Sequence, residues 1–162
     1  MTEQSKTFFK RTALAVFFLG LVVAVFFAYR AQNNIESQSP AEPPRFIEIG
    51  LNDNIITAEV MRTPQEWQSG LSGRDELGAD EGIWFDFGEK KMAGMWMKDM
   101  KFPIDIVWLD AQYEIITVAE RVAPETYPKI FYPDRDAMFV LELPAGAVEK
   151  YRARVGDSVF TR

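Results

Sequence analysis

Five side chains in this sequence could meet to do chemistry: Arg74, Trp96, Lys98, Asp105 and Glu142. In Ile104-Asp105-Ile106-Val107-Trp108-Leu109, strand alternation puts Ile104, Ile106 and Trp108 on one face. Asp105, Val107 and Leu109 share the other, so a carboxylate stands where an apolar residue is expected. Glu142 intrudes in the same way on the run Ala137 to Leu143, on a face with Met138 and Val140. Burying an unpaired carboxylate is costly, so each must find a donor, and Arg74 and Lys98 are the obvious cations. A pocket lined by all five residues would suit a small hydroxylated or anionic ligand. Two carboxylates could instead act as acid and base in glycoside cleavage. That chemistry depends on their separation, about 5–5.5 Å or about 6.5–9.5 Å for the two stereochemical outcomes. The third alternative is a structural role, either a buried ion pair, which perturbs pKa values much as a functional site does, or a carboxylate capping loop amides.

The elements that must position these groups are short. Gly94 to Asp110 reads as a strand, a turn at Phe102-Pro103 and a second strand, because proline fixes φ and gives a ladder no N–H. Trp96 and Lys98 share one face of the first limb, and Met95 and Met97 the other. Phe46 to Leu51 and Ile55 to Met61 form a hairpin around Asn52-Asp53-Asn54, since Asn and Asp tolerate left-handed turns. Thr63-Pro64-Gln65-Glu66 is a capping box with proline at the first helical position. It predicts a helix over 64–72, closed by Gly73, with Trp67 and Leu71 turned inward together.

Ile83, Phe85 and Phe87 alternate as a further strand, and Gly88 to Lys91 reads as a turn. Further strands fall at 113–122, 137–143 and 155–160, with one or two helical turns between Pro144 and Tyr151. The segment 124–133 holds three prolines and three aromatics, a rigid loop that is either a recognition lip or a plug over one end. Many short strands with one real helix indicate a mainly β, antiparallel sandwich or barrel.

Composition excludes several function classes. The chain has 162 residues, no cysteine and no histidine, which removes disulfides, thiol nucleophiles, His-based triads and ordinary zinc sites. A net charge of −6 without a Lys/Arg cluster argues against nucleic acid. No metal or cofactor motif appears, and the methionines read as packing.

Residues 1–11 carry Lys6, Lys10 and Arg11, and the apolar stretch 12–29 follows. At 1.5 Å per residue that stretch spans roughly 27 Å, close to the hydrocarbon thickness of a bilayer. The charge bias places the N-terminus in the cytoplasm and sends the rest across. Its length, and the absence of an Ala-x-Ala-like site, favour a retained transmembrane signal anchor over a cleaved peptide. Residues 30–44 are polar and proline-rich, a stalk holding a domain over 45–162 off the membrane, with the bilayer as the partner of the N-terminal helix.

The ordered segments Thr63-Pro64-x-Glu66, Gly70-Leu71-x-x-Arg74-x-x-Leu77 and Glu81-Gly82-Ile83-x-Phe85-x-Phe87 resemble the DUF192 family of uncharacterised bacterial and archaeal domains. So do Trp96-Met97-Lys98-Asp99, Pro103-x-Asp105-Ile106, Val140-Leu141-Glu142-x-x-Ala145-Gly146 and Gly156-Asp157. The family usually reads Gly-Leu-Met and Trp-Met-Lys-Asn-Thr, where this chain has Ser72, Asp99 and Met100. The resemblance implies a jelly-roll-like sandwich, export behind a signal or anchor, and a role connected with carbohydrate, without an established activity. The expectation is a membrane-anchored, outward-facing domain that binds a small ligand or an envelope partner. A carboxylate-dependent glycan hydrolase and a structural interaction module are the alternatives.

Overall fold

The computed structural model describes residues 45–162. The expected cytoplasmic segment 1–11, anchor 12–29 and stalk 30–44 all lie outside the described residues. Among the described residues no helix is long and apolar enough to cross a membrane.

The chain opens with the expected hairpin, β1 (Phe46–Leu51) and β2 (Asn54–Met61), turning at Asn52 with a φ of 52°. Helix α1 (Pro64–Ser69) follows behind the complete capping box of Thr63 and Glu66, with proline at its start. It ends at Gly70, three residues earlier than the sequence suggests, because Gly70 takes a φ of 42° that other residues resist. Then come β3 (Glu81–Lys91), β4 (Met95–Trp96), β5 (Ile104–Leu109) and β6 (Ile115–Val122). A single 3₁₀ turn (Pro124–Thr126), β7 (Ile130–Phe131), β8 (Ala137–Pro144), α2 (Ala147–Tyr151) and β9 (Val159–Thr161) complete the domain.

Seven strands make one sheet in the order β6-β5-β8-β3-β2-β1-β9, and β4 pairs with β7 in a separate ribbon. The sheet curls into a half-barrel. Its two edge strands approach at one end, where Glu114 bridges Ser158 and the Gly156 N–H reaches the Ile115 carbonyl at 2.8 Å. The mainly β expectation holds, with two short helices. Of the two expected layouts the curled sheet follows the barrel rather than the sandwich, and one pairing departs from the antiparallel expectation: β2 runs parallel to β3. A parallel neighbour requires a crossover, and α1 supplies it.

Both faces of the central strands are covered, so every residue of β5 is buried. Ile49, Val60, Trp84, Val107, Leu141 and Tyr151 pack on one face. Ile83, Phe85, Ile106, Trp108, Val140 and Leu71 pack on the other. Each fully buried side chain of this size contributes about 1.5–3 kcal/mol, so the doubly covered centre anchors the fold.

Asp105 lies at 0% exposure on the first of these faces. Its Oδ1 accepts the Arg121 N–H at 2.7 Å, and its Oδ2 accepts the Val148 N–H at 2.9 Å in the first turn of α2. The Arg121 φ of 49° marks the irregularity in β6 that this carboxylate holds. Asp105 thus ties β5 to β6 and α2, and it is the carboxylate-on-loop-amides alternative to an ion pair. Replacing it with alanine strands two N–H groups against an apolar core. Asp105→Ala is expected to lose about 2–5 kcal/mol in urea unfolding, whereas a change below 0.5 kcal/mol would show that these bonds are dispensable.

Candidate functional site

The cross-strand register separates the two carboxylates. Ile106 pairs with Glu142 and Asp105 with Leu143 between β5 and β8, so Asp105 and Glu142 emerge on opposite faces of the sheet. Of the five residues expected to meet, two reach one cavity: Glu142 and Trp96. Asp105 is structural, as described above. Arg74 turns to Glu59, its guanidinium 2.7 Å from Oε2, while Arg45 holds Oε1 at 2.5 Å. Burial pushes the Glu59 carboxyl up, but hydrogen bonds from Arg74 and Arg45 outweigh it and hold the group below the usual carboxylate range. Lys98 is exposed and does not line the cavity. Its carbonyl accepts the Ser72 hydroxyl at 2.8 Å, which straps the turn after β4 to the loop after α1. Asp99 completes that strap at a φ of 56°, accepting the Gly73 N–H at 2.9 Å through its carbonyl. Asn and Asp are the residues that tolerate this conformation, so Asp99 serves where the family usually has Asn.

The cavity measures about 280 Å³ and lies between α1, the outer half of β3 and β4. Three features set its walls. The Trp67 indole N–H donates to the Met61 carbonyl at 3.0 Å, fixing the α1 side. The buried Trp108 indole N–H donates to the Ala93 carbonyl at 2.7 Å, holding the link from β3 to β4 against β5. β3 does not turn at Gly88 as expected. It bulges between Asp86 and Lys91 and continues, pairing Lys91 with Ala137. The lining is mixed: the aromatic and thioether side chains of Trp67, Phe85, Phe87, Met95, Trp96 and Met100 share it with the polar Gln68, Ser69, Ser72, Lys91 and Glu142.

Glu142 forms the floor. It is 4% exposed, and its Oε2 has no hydrogen-bond partner among the described residues. Gly70 stands over it: a Cβ there would lie 3.9 Å from Glu142 Oε2 and 3.2 Å from Phe85 Cζ. The space above the acid exists because residue 70 has no side chain. Burial pushes the Glu142 carboxyl up to about 8, opposed only in part by the field of Arg74. An orphaned buried oxygen is rare in a folded protein and calls for a specific explanation. Glu142 lines the cavity, with this oxygen closed off from solvent beside Gly70.

Two contributors to the site were not foreseen from sequence. Lys91 fell in an expected turn, yet its ammonium lies 4.3 Å from the Trp67 ring centre and 3.9 Å from that of Phe87. Trp67, expected in the core, forms a wall of the cavity and packs edge-on against Phe87 at 5.2 Å. The spacing of Phe85, Phe87 and Lys91 carries a weak signal, masked by the residue that the bulge inserts.

Two solved structures share this architecture. A proposed transcription regulator from Sinorhizobium meliloti 1021 is 28% identical with a TM-score of 0.67, over 72% of this chain and 92% of that one. A protein of unknown function from Novosphingobium aromaticivorans DSM 12444 is 24% identical with a TM-score of 0.67, over 75% and 89% of the two chains. Comparison with curated proteins gives no match. The model of the DUF192 family, described as "Uncharacterized ACR", matches residues 47–161, and the chain belongs to that family.

Proposed function

We propose that residues 45–162 are a small-ligand-binding domain, carried outside the cytoplasm on an N-terminal membrane anchor, whose ligand enters the cavity and meets Glu142. The observation that carries this is the orphaned Glu142 oxygen at the floor of an aromatic cavity. Ligand sites are mostly apolar concavities with few, well-placed polar groups, and this one has that make-up. Carbohydrate, the class attached to the family resemblance, is one candidate, since sugars stack on indole faces and offer hydroxyls to an acid. A hydrolase working through Asp105 and Glu142 gains no support from carboxyls on opposite faces of a sheet. Envelope-partner binding is favoured by the half-exposed Met92, Trp96 and Ile130 around β4 and β7. The regulatory role in the name of the S. meliloti protein is not carried over, because this chain is acidic and no basic patch suggests nucleic acid.

With the cavity empty, Glu142 is a neutral acid at pH 7, because its carboxyl is pushed up to about 8. The consequence for stability has a definite sign. The unfolded chain releases this proton near the ordinary carboxylate range and the folded chain holds it longer. Stability is therefore fully present at low pH and declines as pH rises towards 8, by roughly 1.4 kcal/mol per unit at most. Glu59 works the opposite way and at lower pH, because its carboxyl is held down. Glu142→Gln is expected to remove the decline between about pH 5 and 8 in denaturant unfolding. The same slope in variant and parent would place the effect elsewhere.

The function itself is tested by thermal shift of the full chain in detergent against sugars, sugar acids, nucleotides and cell-wall fragments. A ligand at 100 times its Kd contributes about 2.7 kcal/mol, a rise in Tm of several degrees. A rise that disappears in Trp96→Ala and Glu142→Gln supports the site. A rise untouched by both would contradict it.

A further inference from the structure

We propose that the cavity above Glu142 takes an organic ammonium ion, a primary or alkylated amine carried on a small apolar body. This rests on the ligand-binding reading above and names the ligand class.

The wall chemistry selects for it. Around the Glu142 floor the cavity offers π faces and thioethers, from Trp67, Phe85, Phe87, Trp96, Met95 and Met100. Such surfaces attract a cation while satisfying few hydrogen bonds, which is how aromatic cages hold quaternary ammonium groups. The domain already shows this attraction. The Lys91 ammonium rests 4.3 Å and 3.9 Å from the Trp67 and Phe87 ring centres, inside the cavity lining. The negative partner is Glu142, which lines the cavity and keeps one buried, unpaired oxygen beside Gly70.

An anion would find one cation in the lining, Lys91, which is already seated over the Trp67 and Phe87 rings. The guanidinium nearest the floor, Arg74, is engaged by Glu59, and a carboxylate ligand would face the Glu142 carboxyl. The charged group bearing on Glu142 is Arg74 from the loop after α1, while Lys91 from β3 sits over the Trp67 and Phe87 rings of the cavity wall. On β2, Glu59 is neutralised by Arg74 and Arg45. An arriving ammonium supplies the charge that the buried site lacks. Glu142 then ionises, and its proton passes to solvent. Lys91 occupies the same aromatic wall, so it competes with the ligand.

The test uses three probes of one size, benzylamine, benzyl alcohol and benzoate, titrated calorimetrically into the full chain in non-ionic detergent at pH 7. Benzylamine is expected to bind about tenfold or more tightly than benzyl alcohol, with benzoate silent and protons released on benzylamine binding. Glu142→Gln should lose that preference, and Trp96→Ala, on the half-exposed rim, should weaken benzylamine severalfold. Lys91→Gln should tighten benzylamine by removing the competing ammonium. If benzyl alcohol or benzoate binds as well as benzylamine and depends on Glu142, the cavity is a ligand site but the ammonium assignment is wrong. If none of the three binds at millimolar concentration, the ammonium assignment is wrong; the ligand-site reading falls with it only if the thermal-shift panel also gives no rise that depends on Glu142 and Trp96.

Discussion

Desolvation of a single carboxyl is the constraint on which this domain turns. The half-barrel places β8 near the middle of a sheet covered on both faces, and Glu142 faces one of the two apolar layers. A charge in that layer is expensive unless it is paired, and the fold supplies no pair. It raises the affinity of the carboxyl for its proton instead, and it leaves room above the acid. That room depends on Gly70, on the early end of α1, and on the Trp108 bond that anchors the link from β3 to β4.

Asp105 meets the same constraint with the opposite outcome. One strand away and on the other face, it is even more deeply buried, yet each of its oxygens accepts a backbone N–H. Those bonds stitch together β5, β6 and α2. Two intruding carboxylates in one sheet thus divide the work: one is fully satisfied and holds the fold, and the other is left open at a cavity. Polar groups that close their hydrogen bonds rigidify a core, whereas an orphan is where a ligand can contribute binding energy.

Much of this was legible from sequence. Alternation identified both buried carboxylates and the faces they share with Val107, Leu109 and Val140, whereas Met138, expected beside Glu142, packs with the opposite layer where the register of β3 and β8 shifts. The capping box located α1, and Asn52-Asp53-Asn54 located the first hairpin. What alternation cannot give is the register between strands distant in sequence. The pairing of Ile106 with Glu142, rather than Asp105 with Glu142, decides that the two acids never meet. The cationic partners failed for a related reason. Arg74 found Glu59, which in the sequence looks like an ordinary outward position of a hairpin strand. Lys91 was hidden because a bulge breaks the period just before it.

The most direct measurement is a carbon-detected NMR titration of the Glu142 side-chain carboxyl in the full chain, with Glu142→Gln identifying its signal. The account predicts a midpoint near 8, well above the ordinary carboxylate range. A midpoint in the ordinary carboxylate range, near 4.5, would mean that Glu142 is solvated or paired, and would contradict the open, desolvated acid on which the proposed site is built.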